Sequence, residues 1–486
     1  MGSLIKNEFT KIFRKKSTYI VLIVLICFMI LTNIIYKFSD KLLNAGGDNR
    51  TNEQYIEYAK EELKTTDVNS NKEKYIDLKT DIDYYELYKK YDENSWQAYI
   101  IERDFYNYLR DINIFKYGNA IEKENLIENP EEVYKRELEK LNNWDWKQYV
   151  KEEINTIETQ LSKDKELRAM AEDVAGTKEI DEKIKNEELQ LELAKTRIEK
   201  DIPYGKDYLN EAIATRISNA NLDYDYNKPD MSYNDKVNTQ SLIEQSEKAK
   251  YIIEHKQDLN GLDNLRAVLL YSFDEYSIFL VIFIAMIAGG IVSSELEKGT
   301  IKMLLVKPYS RGKILLAKYI ASMLMILFIF VVTILLELLI GGIIFGFKSI
   351  SIPAVVYNFN TNSLQTYNLF AYVGLLALSK LPMYILLGTL AFTISCVIGS
   401  TVMGVVFPII GNFAFNIITN ITYTKQIKQL AFLPTLNWDF SVFMFGRLPQ
   451  YQHTNIGFAS LICSVYLVVM IAITWISFKK KDIKNI

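Results

Sequence analysis

Histidine and cysteine are scarce in this sequence, with two histidines and three cysteines among 486 residues. His255 and His453 stand far apart in the chain, which excludes a histidine-rich metal site. Cys27, Cys396 and Cys463 all lie within apolar runs, as is typical of small apolar side chains and not of disulfides or metal ligands. We therefore expect no metal site in this chain.

A phosphate-binding loop of the form G-x-x-x-x-G-K-[ST] is also absent. Gly312-Lys313 lacks the glycine five residues earlier, where Lys307 stands. The polar part of the chain has no nucleophile motif, no metal motif and no histidine pair. We therefore expect no catalytic residues, no cofactor bound by this chain and no enzyme activity of its own.

Charge is distributed unevenly along the chain. Residues 37–272 carry 36 Lys and Arg against 51 Asp and Glu, a net charge of −15, and the other residues carry 20 against 8, a net charge of +12, which together give −3. An acidic polar block is thus inserted into an apolar chain with a positive bias. The net charge gives no indication of nucleic-acid binding, so we expect no nucleic-acid partner.

Six apolar segments are long enough to cross a bilayer core of about 30 Å as helices. They are residues 17–36, 273–292, 319–347, 369–395, 399–422 and 456–478. Residues 1–16 have an apolar helical face and basic residues elsewhere, which favours a helix lying in the membrane interface. The sequence predicts an all-α fold: a polytopic membrane protein with six transmembrane helices and a large, mainly helical extracellular domain.

Lysine and arginine cluster before the first span, between the second and third, and after the sixth. These clusters favour the cytoplasmic side, which places both termini inside, with 479–486 as a basic cytoplasmic tail. Residues 37–272 then lie outside, as do 423–455, which we expect to form re-entrant or interfacial helices. Richness in Asn, Lys, Ile and Tyr is typical of an AT-rich bacterial genome, so we expect a multi-pass protein of the bacterial cell membrane.

The outer block, residues 37–272, is predicted to be helical. Asn129 and Pro130 are a plausible cap and first-turn pair, and a break at Gly176-Thr177 separates two long helical stretches that suggest an antiparallel hairpin. Its many tyrosines could form a recognition surface or the core of a thin helical domain, and we favour the core.

The loop between spans two and three, residues 293–318, is short, basic and interrupted by proline and glycine. Residues 295–306 are predicted to form a short amphipathic helix that Pro308 ends. The spacing of Glu295, Gly299-Thr300, Leu304-Leu305, Pro308, Ser310-Arg311 and Lys318 resembles the first intracellular loop of ABC-2-type export permeases. The resemblance covers residues 1–36 and 273–486 and leaves the outer block unexplained.

This resemblance implies the membrane subunit of an ABC exporter, in which ATP and Mg²⁺ are bound by a separate cytoplasmic ABC ATPase. The expected partners are that ATPase, a second permease copy or paralogue, and membrane lipid. The same resemblance gives the candidate ATPase-docking residues Glu295, Glu297, Gly299, Thr300, Leu304, Leu305, Pro308, Ser310 and Arg311. The alternative for this loop is a basic segment that only fixes topology.

The acidic outer domain favours a cationic antimicrobial peptide or a drug as the exported substrate, with efflux and resistance as the role. An alternative is a non-transporting envelope sensor or scaffold whose outer domain binds a partner protein. The substrate, the transport direction and the choice between homodimer and heterodimer stay open at this point.

Glu337 and Lys380 are the ionisable residues in the middle of the predicted spans. Their equal depth and opposite sign predict an ion pair between spans three and four, or across a permease dimer. The pair would either fix helix packing or belong to the transport path. Two small-residue motifs, Gly342-x-x-x-Gly346 and Ser400-x-x-x-Gly404, would allow close approach of helices.

Overall fold

The computed structural model describes residues 1–38, 50–68, 70–126, 128–170, 174–222, 230–300 and 309–480. The chain forms two compact units. The membrane unit contains Met1–Asp40, Asp225–Glu244 and Leu259–Ile486, and the inserted unit contains Lys41–Tyr224 and Gln245–Asp258. Both units are built almost entirely from helices, so the predicted all-α class is confirmed.

The chain begins with two helices of the membrane unit, α1 (Gly2–Arg14) and α2 (Lys16–Lys37). The buried residues of α1 are Leu4, Glu8 and Ile12, spaced four apart along one face. This is the amphipathic pattern predicted for the interfacial helix, but with a carboxylate in the middle of the buried stripe.

The inserted unit is a helical domain. Its helices are α3 (Asn52–Thr65), α4 (Lys72–Tyr88), α5 (Trp96–Ile100) continued by a π-helical turn (Ile101–Phe105), α6 (Tyr106–Tyr117), α7 (Ala120–Glu124), α8 (Pro130–Asn143), α9 (Trp146–Met170), α10 (Val174–Lys200) and α11 (Tyr208–Ser218). Helix α12 (Tyr233–His255) follows, and its residues from Gln245 onward belong to this unit.

Two local predictions for the inserted unit are confirmed. Asn129 caps α8 by accepting a hydrogen bond from the amide of Glu131 at 3.0 Å, and Pro130 occupies the first turn. Helices α9 and α10 pack antiparallel, since their ion pairs join Glu158 to Lys195 and Arg168 to Asp181. Two separate helices are present as predicted, but the predicted position of the break, Gly176-Thr177, is wrong because these residues lie within α10, which begins at Val174.

The core of the inserted unit is aromatic. Tyr149 and Tyr204 are buried beside Ile100, Phe105 and Leu141, with further tyrosines packed around them. The tyrosines therefore contribute to a packed core, as the sequence favoured.

The rest of the membrane unit is dominated by long helices. They are α13 (Leu265–Glu275), α14 (Ser277–Gly290), α15 (Ser293–Glu297), α16 (Arg311–Phe345), α17 (Leu369–Ile398), α18 (Thr401–Lys425) and α19 (Ile456–Lys480). Polar side chains cap the starts of several of them: Asn264 caps α13, Ser310 caps α16, Asn368 caps α17 and Ser400 caps α18.

Among the described residues, five helices are long and apolar enough to cross a membrane: α2, α16, α17, α18 and α19. Helices α13 and α14 meet at a bend of 47° and make a sixth span if they are counted as one. The predicted second span is therefore divided, because α14 alone has 14 residues and a length of about 21 Å. Helix α16 has 35 residues and begins at Arg311, inside the predicted loop.

Short irregular elements complete the membrane unit. Strands β1 (Ala354–Asn358) and β2 (Ser363–Tyr367) pair antiparallel, and this hairpin is an exception to the helical prediction. Between α18 and α19 the chain forms three short 3₁₀ turns, Lys428–Leu430, Pro434–Leu436 and Phe440–Gly446. These turns stand where re-entrant or interfacial helices were predicted.

Candidate functional site: the junction at the start of the loop

A buried lysine connects three elements at one end of the membrane unit. Lys318 lies in the second turn of α16 and has no exposed surface. Its Nζ lies 2.9 Å from Glu8 Oε2, 2.9 Å from Glu295 Oε2 and 3.1 Å from the carbonyl oxygen of Ile291. Helices α1, α15 and α16 and the end of α14 therefore meet at one ammonium group.

A second lysine closes the network. Lys11 Nζ lies 2.6 Å from Glu295 Oε1 and 3.1 Å from Glu8 Oε1, so each carboxylate contacts both lysines. Glu8, Lys11, Glu295 and Lys318, which we call the junction network, contain two positive and two negative charges. Buried charges are tolerated where they are paired and balanced in this way.

The network changes the ionisation of its members. Burial alone would raise the pKa of Glu295, but Lys318 and Lys11 outweigh it and the pKa falls below its ordinary value. Burial likewise opposes the charge of Lys11, but the hydrogen bond to Glu295 and the charges of Glu295 and Glu8 raise its pKa. Both groups are therefore held in their charged forms.

We expect the stabilising effect of Glu295 to depend on pH. A carboxylate with a lowered pKa stabilises the fold above its ordinary pKa of 4.5, and the stabilisation is lost as the pH falls through the folded value. Glu295→Gln should lower the thermal unfolding temperature at about pH 7, and the difference from the wild type should shrink as the pH falls below 4.5. Thermal unfolding of both proteins across this range tests the prediction, and a difference that does not vary with pH would contradict it.

A second set of contacts connects α15 to α17 and α18. The amide of Ser293 donates to Ser395 Oγ at 2.9 Å, and Ser293 Oγ lies 3.0 Å from Thr401 Oγ1. Glu297 accepts hydrogen bonds from the amide of Thr401 at 2.6 Å and from its hydroxyl at 2.8 Å. The bond from the Thr401 amide lowers the pKa of Glu297. A carboxylate here also interacts favourably with the positive end of the α18 dipole.

The structure separates the predicted docking residues into groups. Leu304, Leu305 and Pro308 lie outside the described residues. The predicted helix 295–306 is wrong over residues 298–300, because α15 ends at Glu297 and a turn follows it. Glu295 is buried in the junction network and Glu297 holds the start of α18. The remaining four are Gly299 with a positive φ of 66°, Thr300, Ser310 and Arg311.

Sequence reasoning missed the role of Glu8, and it named Lys318 only in a basic cluster and in the spacing that resembles the ABC-2 loop. A signal for both was present. Glu8 stands between Leu4 and Ile12 on the apolar face of an amphipathic helix, and a carboxylate there needs a cation. Lys318 stands inside an apolar helix and needs an anion.

Comparison with known proteins identifies the family. The family model described as "ABC-2 family transporter protein" matches residues 3–483, nearly the whole chain. This chain belongs to the ABC-2 transporter family.

Two relatives from Bacillus subtilis (strain 168) are similar to part of this ABC-2 protein. The uncharacterized protein YhcI is 25% identical over 214 residues, which are 43% of this chain and 66% of the relative. The uncharacterized membrane protein YdbK is 24% identical over 208 residues, which are 43% of this chain and 79% of the relative. No solved structure matches the chain.

The predicted ion pair between Glu337 and Lys380 of this ABC-2 protein is not formed within the chain. Lys380 Nζ lies 2.5 Å from Asp274 Oδ1 and 2.8 Å from Asp439 Oδ2. Glu337 is fully buried and accepts a hydrogen bond from Asn33 Nδ2 at 2.9 Å. Equal depth did not bring the two together, because α16 turns Glu337 toward α2 while α17 turns Lys380 toward the end of α13.

The two small-residue motifs have different roles. Gly404 of α18 crosses Gly289 of α14 so closely that a Cβ atom at Gly404 would lie 2.7 Å from the Gly289 carbonyl oxygen. The Ser400 motif therefore includes a close helix crossing. Gly342 instead contacts the ring of Phe347, and Gly346 ends α16 with a φ of 79°, so that motif shapes a helix end.

Proposed function

We propose that this chain is the membrane subunit of an ABC exporter, driven by ATP that a separate ATPase hydrolyses with Mg²⁺. Membership of the ABC-2 family supports a permease role. The observation that carries the proposal is the anchoring of α15 at the start of the loop. Charged or polar contacts join this five-residue helix to α1, α16, α17 and α18.

This anchoring gives the loop a mechanical role. Packed helices and buried ion pairs move as units and do not deform gradually. A partner that displaces the loop would therefore move the ends of several spans together. Lys298, Tyr309, Ser310 and Arg311 are exposed at the two ends of the loop and form the surface that we assign to ATPase docking.

We also propose a second permease copy or paralogue against α18. Asn416 and Asn420 are exposed on this mainly apolar helix and follow the buried Asn412 at four-residue spacing. Asn416 Nδ2 donates to Asn412 Oδ1 at 3.3 Å, and neither of the two exposed amide groups is covered. Amide groups facing lipid are unfavourable, and helices of membrane proteins commonly associate through such residues. A second subunit would cover this face, and lipid would surround the remaining apolar surface.

For orientation, we propose that both termini lie inside a bacterial cell membrane and the acidic inserted unit lies outside. The basic clusters of the sequence support this choice. A net charge of −15 over residues 37–272 would attract cationic molecules to the inserted unit. A cationic antimicrobial peptide or drug is therefore the substrate class that we propose for export.

The docking surface is tested by charge reversal. We expect Lys298→Glu/Arg311→Glu to reduce the ATPase that co-purifies from the native membrane at least about tenfold, which corresponds to about 1.4 kcal/mol. Both side chains are exposed and neither belongs to the junction network, so the variant should keep its fold. Quantitative mass spectrometry of the purified protein measures the ATPase, and native mass spectrometry counts the permease copies.

The matched control is Lys348→Glu/Lys428→Glu, an equal charge change at exposed lysines beyond the far ends of α16 and α18. It should retain the ATPase. Equal retention by the docking variant would refute the assigned surface. Absence of any ATPase from the wild type would refute the exporter proposal and favour the sensor or scaffold role.

A further inference from the structure

The inserted unit contains a cavity of about 400 Å³ bounded by α5, α9, α10 and α11. Its size lies within the usual range for small-molecule pockets, about 300–1,000 Å³. Its lining combines apolar side chains, among them Leu193, Ile213 and Ile217, with Arg197 and Tyr204.

Arg197 is a buried cation held by neutral groups. The residue is 6% exposed, and its Nη1 donates to Asn210 Oδ1 at 2.7 Å and to the carbonyl oxygen of Pro203 at 3.5 Å. Its guanidinium lies over the ring of Tyr204, 4.4 Å from the ring centre. Within the described part of the chain, no carboxylate forms an ion pair with it.

Arg103, which also lines the cavity, differs from Arg197 because it is paired with carboxylates. Arg103 lies 2.9 Å from Asp104 and 3.2 Å from Glu153, and Glu153 also accepts a hydrogen bond from the Tyr204 hydroxyl. Burial opposes the charge of Arg103, but the bond to Asp104 and the charges of Asp104 and Glu153 raise its pKa. Burial instead lowers the pKa of Arg197, and the charge of Glu153 opposes this shift only in part, since no carboxylate of the described residues is hydrogen-bonded to Arg197.

A buried charge that is only partly compensated is unfavourable, and an anion in the cavity would relieve it. Arginine binds carboxylates through paired N–H donors, and the contacts to Asn210 and Pro203 use only one of its two terminal nitrogens. Arg103 and Glu153 also line the cavity, but they pair with each other, so Arg197 is the lining cation that no carboxylate of the described residues pairs with. One such cation suits a monocarboxylate better than a strongly hydrated phosphate, and the apolar lining residues suit a hydrocarbon group.

We propose that this cavity binds a small monocarboxylate with an apolar body, the carboxylate on Arg197 and the body against Leu193, Ile213 and Ile217. The ligand resembles the free C-terminal end of an apolar amino acid. Tyr99 and Tyr204, stacked with ring centres 5.6 Å apart, form the adjoining wall. The site does not depend on whether the chain transports anything.

The test is calorimetric titration of the full-length protein with N-acetyl-L-leucine and N-acetyl-L-leucinamide. The two probes share one apolar body, and only the first carries the carboxylate. We expect the acid to bind at least about tenfold more tightly than the amide, as one charge-assisted contact predicts. Arg197→Gln should remove that preference, and the control Arg168→Gln, which changes an arginine paired with Asp181 outside the cavity, should keep it.

A second variant tests the site independently, in case Arg197→Gln does not fold. Ala214 lies exposed beside the cavity, so Ala214→Trp should narrow the opening while leaving Arg197 in place. This variant should weaken binding of the acid at least about tenfold. No binding of the acid to the wild type, equal binding of acid and amide, or unchanged affinity in Ala214→Trp would each overturn the proposal.

Discussion

Lys318→Met will strongly destabilise the membrane unit of this ABC-2 protein. Methionine matches the length of the lysine stem but removes the charge between Glu8 and Glu295, so two buried carboxylates share only Lys11. Breaking a buried ion pair by removing one partner costs about 3–5 kcal/mol, because the remaining charge is desolvated without compensation. Denaturant unfolding of the detergent-purified protein, followed by tryptophan fluorescence, measures the loss.

Two further variants separate charge from packing. Lys313→Met changes an exposed lysine of the same helix and should alter stability by no more than about 0.5 kcal/mol. Glu8→Gln/Glu295→Gln in the Lys318→Met background removes both carboxylates and should recover most of the stability. Lys11 can then turn its ammonium group to water, since its side chain is 38% exposed. If the triple variant is no more stable than Lys318→Met, the loss comes from packing and the ion-pair explanation is wrong.

The long apolar helices and the amphipathic helix at the start of the chain were predictable because their signals are local. A run such as 17–36 must be buried or in lipid whatever its neighbours are, and the stripe Leu4, Glu8, Ile12 follows from helical geometry alone. The cap at Asn129 is equally local. These features depend on a few adjacent residues and on no distant contact.

The partners of the charges were not predictable from one sequence. Depth along a helix follows from counting residues, but the direction of a side chain depends on which helices pack together. Glu337 and Lys380 were predicted to pair because they lie at equal depth. In the structure Glu337 accepts a hydrogen bond from Asn33, and Lys380 pairs with Asp274 and Asp439. The hairpin of β1 and β2 also went unpredicted, because no sheet pattern marks so short a pair of strands.

We expect a second large loss of stability from a substitution at the point where α14 crosses α18. The backbones of Gly289 and Gly404 touch one turn from the residues that contact α15, so this crossing fixes the end of α14 beside the junction network. We expect Gly404→Ala to lower stability by about 1–3 kcal/mol, because the new methyl group would lie 2.7 Å from a carbonyl oxygen and the helices must separate. The same unfolding assay measures it.

Gly411 provides a control on the same helix, since a Cβ atom there would meet nothing within 4 Å. Alanine is a better helix former than glycine by about 1 kcal/mol, so Gly411→Ala should leave the stability unchanged or raise it slightly. The two substitutions make the same chemical change and differ only in what the methyl group meets. If Gly404→Ala is as stable as Gly411→Ala, the helices do not cross at Gly289. If it alone is destabilised, the close crossing beside the junction is real.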